Sequence, residues 1–147
     1  MNIYDKLFEI QQKIDGNKNK RNDFGNFIFR SNEGTLEKLK PFLKDVNCII
    51  LQHDTINDVA GKVFVEATSS LVDCETGEKI SCTASANHAE SKKGMDNAQL
   101  TGACSSYARK YSLSGLLALS HSDDFDSFDN STSFTNTGAQ ESSNDIF

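Results

Sequence analysis

Arg109 stands in the middle of a helix face built from small residues. Over a helix from about Asp96 to Tyr111, with about 100° of rotation per residue, Leu100, Ala103, Cys104, Tyr107 and Tyr111 share one face. That face reads as the core face. The opposite face carries Gln99, Gly102, Ser105, Ser106 and Arg109, with Lys110 at its edge. A solvent face is ordinarily filled with Glu and Lys, whereas Gly and Ser cost helix stability. Small residues there imply a close neighbour: a sheet, another subunit or a nucleic-acid backbone. The planar guanidinium of Arg109 matches a phosphate or a carboxylate, so it would hold one or the other. The plainer alternative is a helix packed on its own sheet, with Arg109 at the rim.

Bond-making chemistry finds little support. Cys82 and His88 are six residues apart, but no second ligand pair completes a metal site. Asp124 and Asp126 lack the glycine and terminal glutamate of a calcium loop. No GxxxxGK[ST] run is present to cradle a nucleotide, and three scattered histidines supply no base beside a Ser or Cys nucleophile. The expectation is a protein with no cofactor, no metal and no catalytic residue.

The elements that must position Arg109 follow from the pattern of the chain. Its 147 residues, 37% hydrophobic, suffice for one domain plus a tail. Residues 2–14 form an amphipathic helix, with Ile3, Leu7, Ile10 and Ile14 at helical spacing and Tyr4 and Phe8 beside them. A polar loop with Lys18, Lys20 and Arg21 leads to a short strand, Gly25–Arg30, with Phe27 and Phe29 on one face, either packed in the core or open for stacking. Ser31 or Asn32 caps a second helix of about 32–44 with Leu36, Leu39 and Leu43 inward, and Pro41 predicts a kink or an early end. Three strands come next. Asn47–His53 is apolar in its middle, and Lys62–Val72 turns one face of Val63, Val65, Ala67 and Leu71. Lys79–Asn87 places Ile80, Cys82, Ala84 and Ala86 on one side. CETGE joins the last two as a hairpin whose outward face is Thr68, Ser70, Ser81, Thr83 and Ser85. A loop with Lys92, Lys93 and Gly94 precedes the Arg109 helix, and a separate short apolar helix, LSGLLAL, ends the domain near residue 120.

Charge is unevenly placed. Residues 1–122 hold all 15 Lys and Arg and 15 of the 21 Asp and Glu, so they sum to zero. The net charge of −6 sits wholly in residues 123–147. The segment 121–147 has few aliphatic side chains and reads as a disordered acidic tail carrying Phe125, Phe128, Phe134 and Phe147. Those phenylalanines are either docking anchors or passengers on a solubilising tail. Cys48, Cys74, Cys82 and Cys104 form no CxxC pair and read as free thiols of a reducing compartment. With no apolar run of membrane length and no secretory signal, the expected location is the cytoplasm.

The segment KGMDNAQLTGACSSYARKYSLSGLLAL (Lys93–Leu119) resembles the hallmark of the ERF superfamily of phage single-strand annealing proteins. FGNFIFRS (Phe24–Ser31), the LKPFL of the second helix, the Val65–Glu78 hairpin and the opening MNIYDKLFEIQQKI are similar to family segments in the same order. Together they cover about residues 1–120. Two departures stand out. Ser112 and Ser114 occupy positions where small apolar residues are usual, which is expected to loosen packing. The acidic tail lies outside the resembling stretch.

The resemblance implies an α+β fold: a curved antiparallel sheet backed by a long helix, similar to the core of the eukaryotic ring-forming annealing protein. It implies a ring or filament of identical subunits that binds single-stranded DNA and anneals complementary strands in phage or prophage recombination without ATP. Such a groove must neutralise phosphates and leave base edges free. The DNA-binding candidates are Arg30, Lys92, Lys93, Arg109 and Lys110, with Lys18, Lys20 and Arg21 as a looser cluster. Tyr107 and Tyr111 either stack on bases or pack in the core. Asp145, Ile146 and Phe147 resemble the acidic, Phe-terminated tip of bacterial single-strand binding proteins, which implies docking to a host or phage replication protein. The alternative function is a non-enzymatic adaptor that recruits replication or recombination proteins through this tail. A nuclease is a weaker alternative, since residues 1–120 show no clustered carboxylate–lysine site.

Overall fold

A computed structural model of the chain describes residues 1–15 and 31–119, which belong to one unit of the fold. The expected strand Gly25–Arg30, with Phe27 and Phe29, and the tail 121–147 lie outside the described residues. The architecture is α+β. Helix α1 (Ile3–Asp15) and helix α2 (Asn32–Val46) precede a three-stranded antiparallel sheet of β1 (Cys48–Val59), β2 (Lys62–Asp73) and β3 (Lys79–His88), in the order β1-β2-β3. Helix α3 (Asn97–Leu117) closes the described part.

The local chemistry of each element is plain. Ser31 caps α2, its Oγ accepting from Gly34 N–H at 2.9 Å. Pro41 does not end α2, which runs on to Val46. Pro41 and Glu37, whose carbonyl loses its helical donor, both sit on the exposed side, and the buried Leu39 and Val46 anchor the helix on either side of the proline. Asp96 begins α3 with a reciprocal cap: it accepts from Gln99 N–H at 2.8 Å, while the Gln99 side chain accepts from Asp96 N–H at 3.0 Å.

Two expectations about element length are corrected. β1 does not stop near His53 but continues to Val59 and pairs with β2 along its whole length. Ala60 (φ 53°) and Gly61 (φ 83°) form the two-residue turn, whose positive φ values match the twist of a hairpin. Asp54, Asn57 and Asp58 make this stretch look like a loop in the sequence; Asp58 in fact caps the turn by accepting from Gly61 N–H. LSGLLAL is likewise no separate helix but the last turns of α3, a single helix of 21 residues. Ser112, Ser114 and Gly115 read as breakers by propensity, yet here they serve packing. A Cβ on Gly115 would lie 2.8 Å from Cys82 Sγ, so the glycine leaves room for Cys82 where α3 meets β3.

Two apolar clusters hold α3 to the sheet. One joins Leu100, Cys104 and Ala108 to Val65, Ala67 and Ala86. The other gathers Leu113, Leu116, Leu117 and Leu119 with Leu71, Leu39 and the expected stripe of α1, Ile3, Leu7, Ile10 and Ile14. Burial of each large side chain stabilises by roughly 1.5–3 kcal/mol. Ser69 and Ser112, both fully buried, separate the clusters along β2 and α3. Their hydroxyls are 2.7 Å apart, Ser112 Oγ donates to Arg109 O, and Gln52 Nε2 donates to Ser69 Oγ. Gln52 also exchanges two amide hydrogen bonds with Asn32. Ser112 therefore does not loosen the packing: its hydroxyl ends a satisfied chain linking α2, β1, β2 and α3.

The far face of the sheet carries no described helix. There the hydroxyls of the expected outward face pair across strands, Thr68 with Thr83 at 3.2 Å and Ser70 with Ser81 at 2.7 Å. At the other end of the hairpin Asp73 accepts from the N–H groups of Glu75 and Thr76 and pairs with Lys6 at 2.7 Å, tying α1 to the β2–β3 turn. The four cysteines are free thiols. Among the described residues no helix is long and apolar enough to cross a membrane.

Candidate nucleic-acid interface

Helix α3 is rotated about its axis from the orientation its sequence suggests. The buried residues of its first turns are Leu100, Cys104, Ala108 and Ser112, spaced by four, while Ala103 is exposed and Tyr107 is 45% exposed. Hydrophobicity puts the tyrosines inward. Packing distance decides otherwise, because Ala108 and Ser112 let the helix lie closer to the sheet than a tyrosine would. Core packing of Tyr107 is thus overturned, and Tyr111 is half-buried.

The rotation carries Ser105 and Arg109 toward β1. Arg109 Nε donates to Asp54 Oδ1 at 2.9 Å, and Ser105 Oγ donates to Asp54 Oδ2. Arg109 thus has an acidic neighbour from its own sheet and sits at the rim, with a side-chain exposure of 36% against 19% for Asp54. Burial pushes the Asp54 carboxyl up, but the hydrogen bonds from Arg109 and Ser105 outweigh it and hold the group below its ordinary value.

Tyr107 and Tyr111 form a second cluster with Lys110. The ring centroids are 4.8 Å apart at an interplanar angle of 53°, and Lys110 Nζ lies 5.4 Å from one centroid and 4.9 Å from the other. Both distances are within cation–π range. Tyr107 and Arg109 are two residues apart, so their side chains diverge by about 160° and serve opposite flanks of α3. The structure thus joins Lys110 to the tyrosines and separates Arg109 from them. Lys92 and Lys93 are exposed in a tight turn closed by Met95 N–H donating to Lys92 O, with Gly94 at φ 86°. Cys82 and His88 are engaged apart, Cys82 against Gly115 and His88 with Thr101 Oγ1 at 2.9 Å.

Lys18, Lys20, Arg21 and Arg30 lie outside the described residues, as do Asp145, Ile146 and Phe147. Asp54 is not among the candidates that the sequence singles out, because the apolar pattern of β1 ends before it. Its signal is the alternation Gln52, Asp54, which continues the inward register of the strand.

The sequence profile described as the ERF superfamily matches residues 3–145. The chain belongs to the ERF superfamily. That match runs past the Lys93–Leu119 segment into the acidic C-terminal stretch. Among curated proteins, the Essential recombination function protein of Salmonella phage P22 is 43% identical over 124 residues, which is 84% of this chain and 58% of that protein. This ERF chain therefore matches little more than half of the phage protein's length. No solved structure matches it.

Proposed function

We propose that this ERF protein acts in phage or prophage homologous recombination by binding single-stranded DNA and promoting the annealing of complementary strands, without ATP and without a catalytic step. The name of the phage P22 relative supports the recombination role. The observation that carries the DNA-binding part is the Tyr107–Tyr111 pair, Tyr107 exposed and Tyr111 half-buried, with the Lys110 ammonium beside its rings, within the segment that resembles the annealing hallmark. Aromatic faces that accept any base, next to a cation that accepts any phosphate, are what sequence-independent single-strand binding needs. Lys92, Lys93 and the Nη edge of Arg109 add phosphate contacts, and Lys18, Lys20, Arg21 and Arg30 extend the basic set. Copies of the chain assembled in a ring or filament would lay one strand across many such helices. Asp145, Ile146 and Phe147 would dock a host or phage replication protein.

Titration of a labelled oligonucleotide across salt concentrations tests the reading. The expected result is tight binding at low salt with log K falling linearly in log salt, by about 0.7 per phosphate neutralised. An adaptor working only through its tail would bind the oligonucleotide weakly and without that slope, and would replace the proposal.

A further inference from the structure

We infer that Ser105 keeps Arg109 available to a phosphate by occupying one oxygen of its carboxylate partner, Asp54; the inference rests on reading the chain as a single-strand binder. Arginine and carboxylate commonly meet as a two-point fork, which engages both oxygens and two N–H groups. Here the fork does not form. Asp54 Oδ1 takes Arg109 Nε at 2.9 Å, and Asp54 Oδ2 is taken by Ser105 Oγ. Among the described residues, neither Nη group of Arg109 has an acceptor. Ser105 and Arg109 are one helical turn apart, so both reach the same carboxylate from one flank of α3.

The guanidinium is thereby divided. Its Nε belongs to the fold and fixes the plane of the group, while its two Nη groups form the paired edge that suits phosphate oxygens. Ser105 is a positioning residue in this arrangement and touches no nucleic acid. Without its hydroxyl, Asp54 Oδ2 is free to take an Nη group, and the arginine folds back onto its own sheet. A lysine at position 109 has a single ammonium centre and cannot serve Asp54 and a phosphate with the same division.

The test is salt-dependent binding of labelled oligothymidylate by the full chain and by S105A, R109A, R109K and S105A/R109A, with thermal melting of each. S105A is expected to lose about tenfold in affinity at low salt, the size of one hydrogen bond to a charged group, with its melting temperature little changed. Its salt slope should fall by about 0.7, one phosphate contact on a single strand. R109A and R109K should both show that loss, and S105A should add nothing in the R109A background. Wild-type affinity and slope in S105A would overturn the inference while leaving single-strand binding intact. So would a loss in S105A that persists beside R109A, because it would then run through the fold. A wild-type chain that binds no oligonucleotide at low salt would overturn both the inference and the proposed function.

Discussion

Tyr107 and Lys110 divide the expected affinity of α3 into parts that answer differently to salt. Stacking involves little charge, so Tyr107→Ala should cost about 1–3 kcal/mol in oligonucleotide binding and leave the salt slope unchanged. Lys110→Ala should lower the slope by about 0.7. Fluorescence anisotropy at several salt concentrations separates the two; a Tyr107→Ala variant with wild-type affinity would return the tyrosine pair to a structural role. Two glycines of the same helix make a contrast in stability. Gly102 has nothing within 4 Å of an added Cβ, so Gly102→Ala should stabilise by about 0.5–1 kcal/mol, the ordinary gain for a helix interior. Gly115→Ala should instead destabilise by about 1–3 kcal/mol, because the new methyl meets Cys82 Sγ at 2.8 Å. Thermal melts of the two variants decide the matter by the sign of the shift.

At the scale of elements, the Lys6–Asp73 pair joins α1 to the β2–β3 turn and makes that junction pH-dependent. Asp73 is held below the usual carboxylate range, first by Lys6 and then by the N–H of Glu75, with burial opposing them. Its contribution is fully present above about pH 4, the value of an unfolded aspartate, and is lost as pH falls through the lower native value. Lys6 is raised, chiefly by its hydrogen bond to Asp73, so its contribution holds below about pH 10.4 and is lost as pH rises through the native value. Melting temperature against pH should therefore fall more steeply in acid for the wild type than for Asp73→Asn, and parallel curves would contradict this. Much of the element structure was legible: the α1 stripe, the Ser31 cap, the β2–β3 hairpin and its hydroxyl face all follow from periodicity and turn chemistry. The distal half of β1 was not, because Asp54, Asn57 and Asp58 are poor strand formers, and their pairing with β2 is set by the Ala60–Gly61 turn. The rotation of α3 was not, because it is decided by how closely small side chains let two backbones approach. An acidic partner for Arg109 was foreseen as a type, but Asp54 lies 55 residues away and only the fold brings it near.

Over the whole molecule the charge is divided between a neutral body and a C-terminal stretch of charge −6. An acidic segment tethered to a phosphate-binding surface competes with phosphate at high effective concentration, and salt screens the competition within about 10 Å at 0.1 M. Deleting residues 123–147 is expected to tighten single-strand binding at low salt and to leave it little changed at high salt. It should also abolish recruitment of any partner that reads Phe147. A truncated chain with unchanged affinity and unchanged partners would reduce the tail to a solubilising appendage.

The proposed activity brings complementary strands together without making or breaking a bond. Its test is the rate of duplex formation between two labelled complementary oligonucleotides, followed by fluorescence quenching at low salt with no nucleotide present and with a chelator added. Annealing well above the spontaneous rate is expected, with both strands recovered at full length. A rate equal to the spontaneous one, or strands shortened when magnesium is restored, would contradict it.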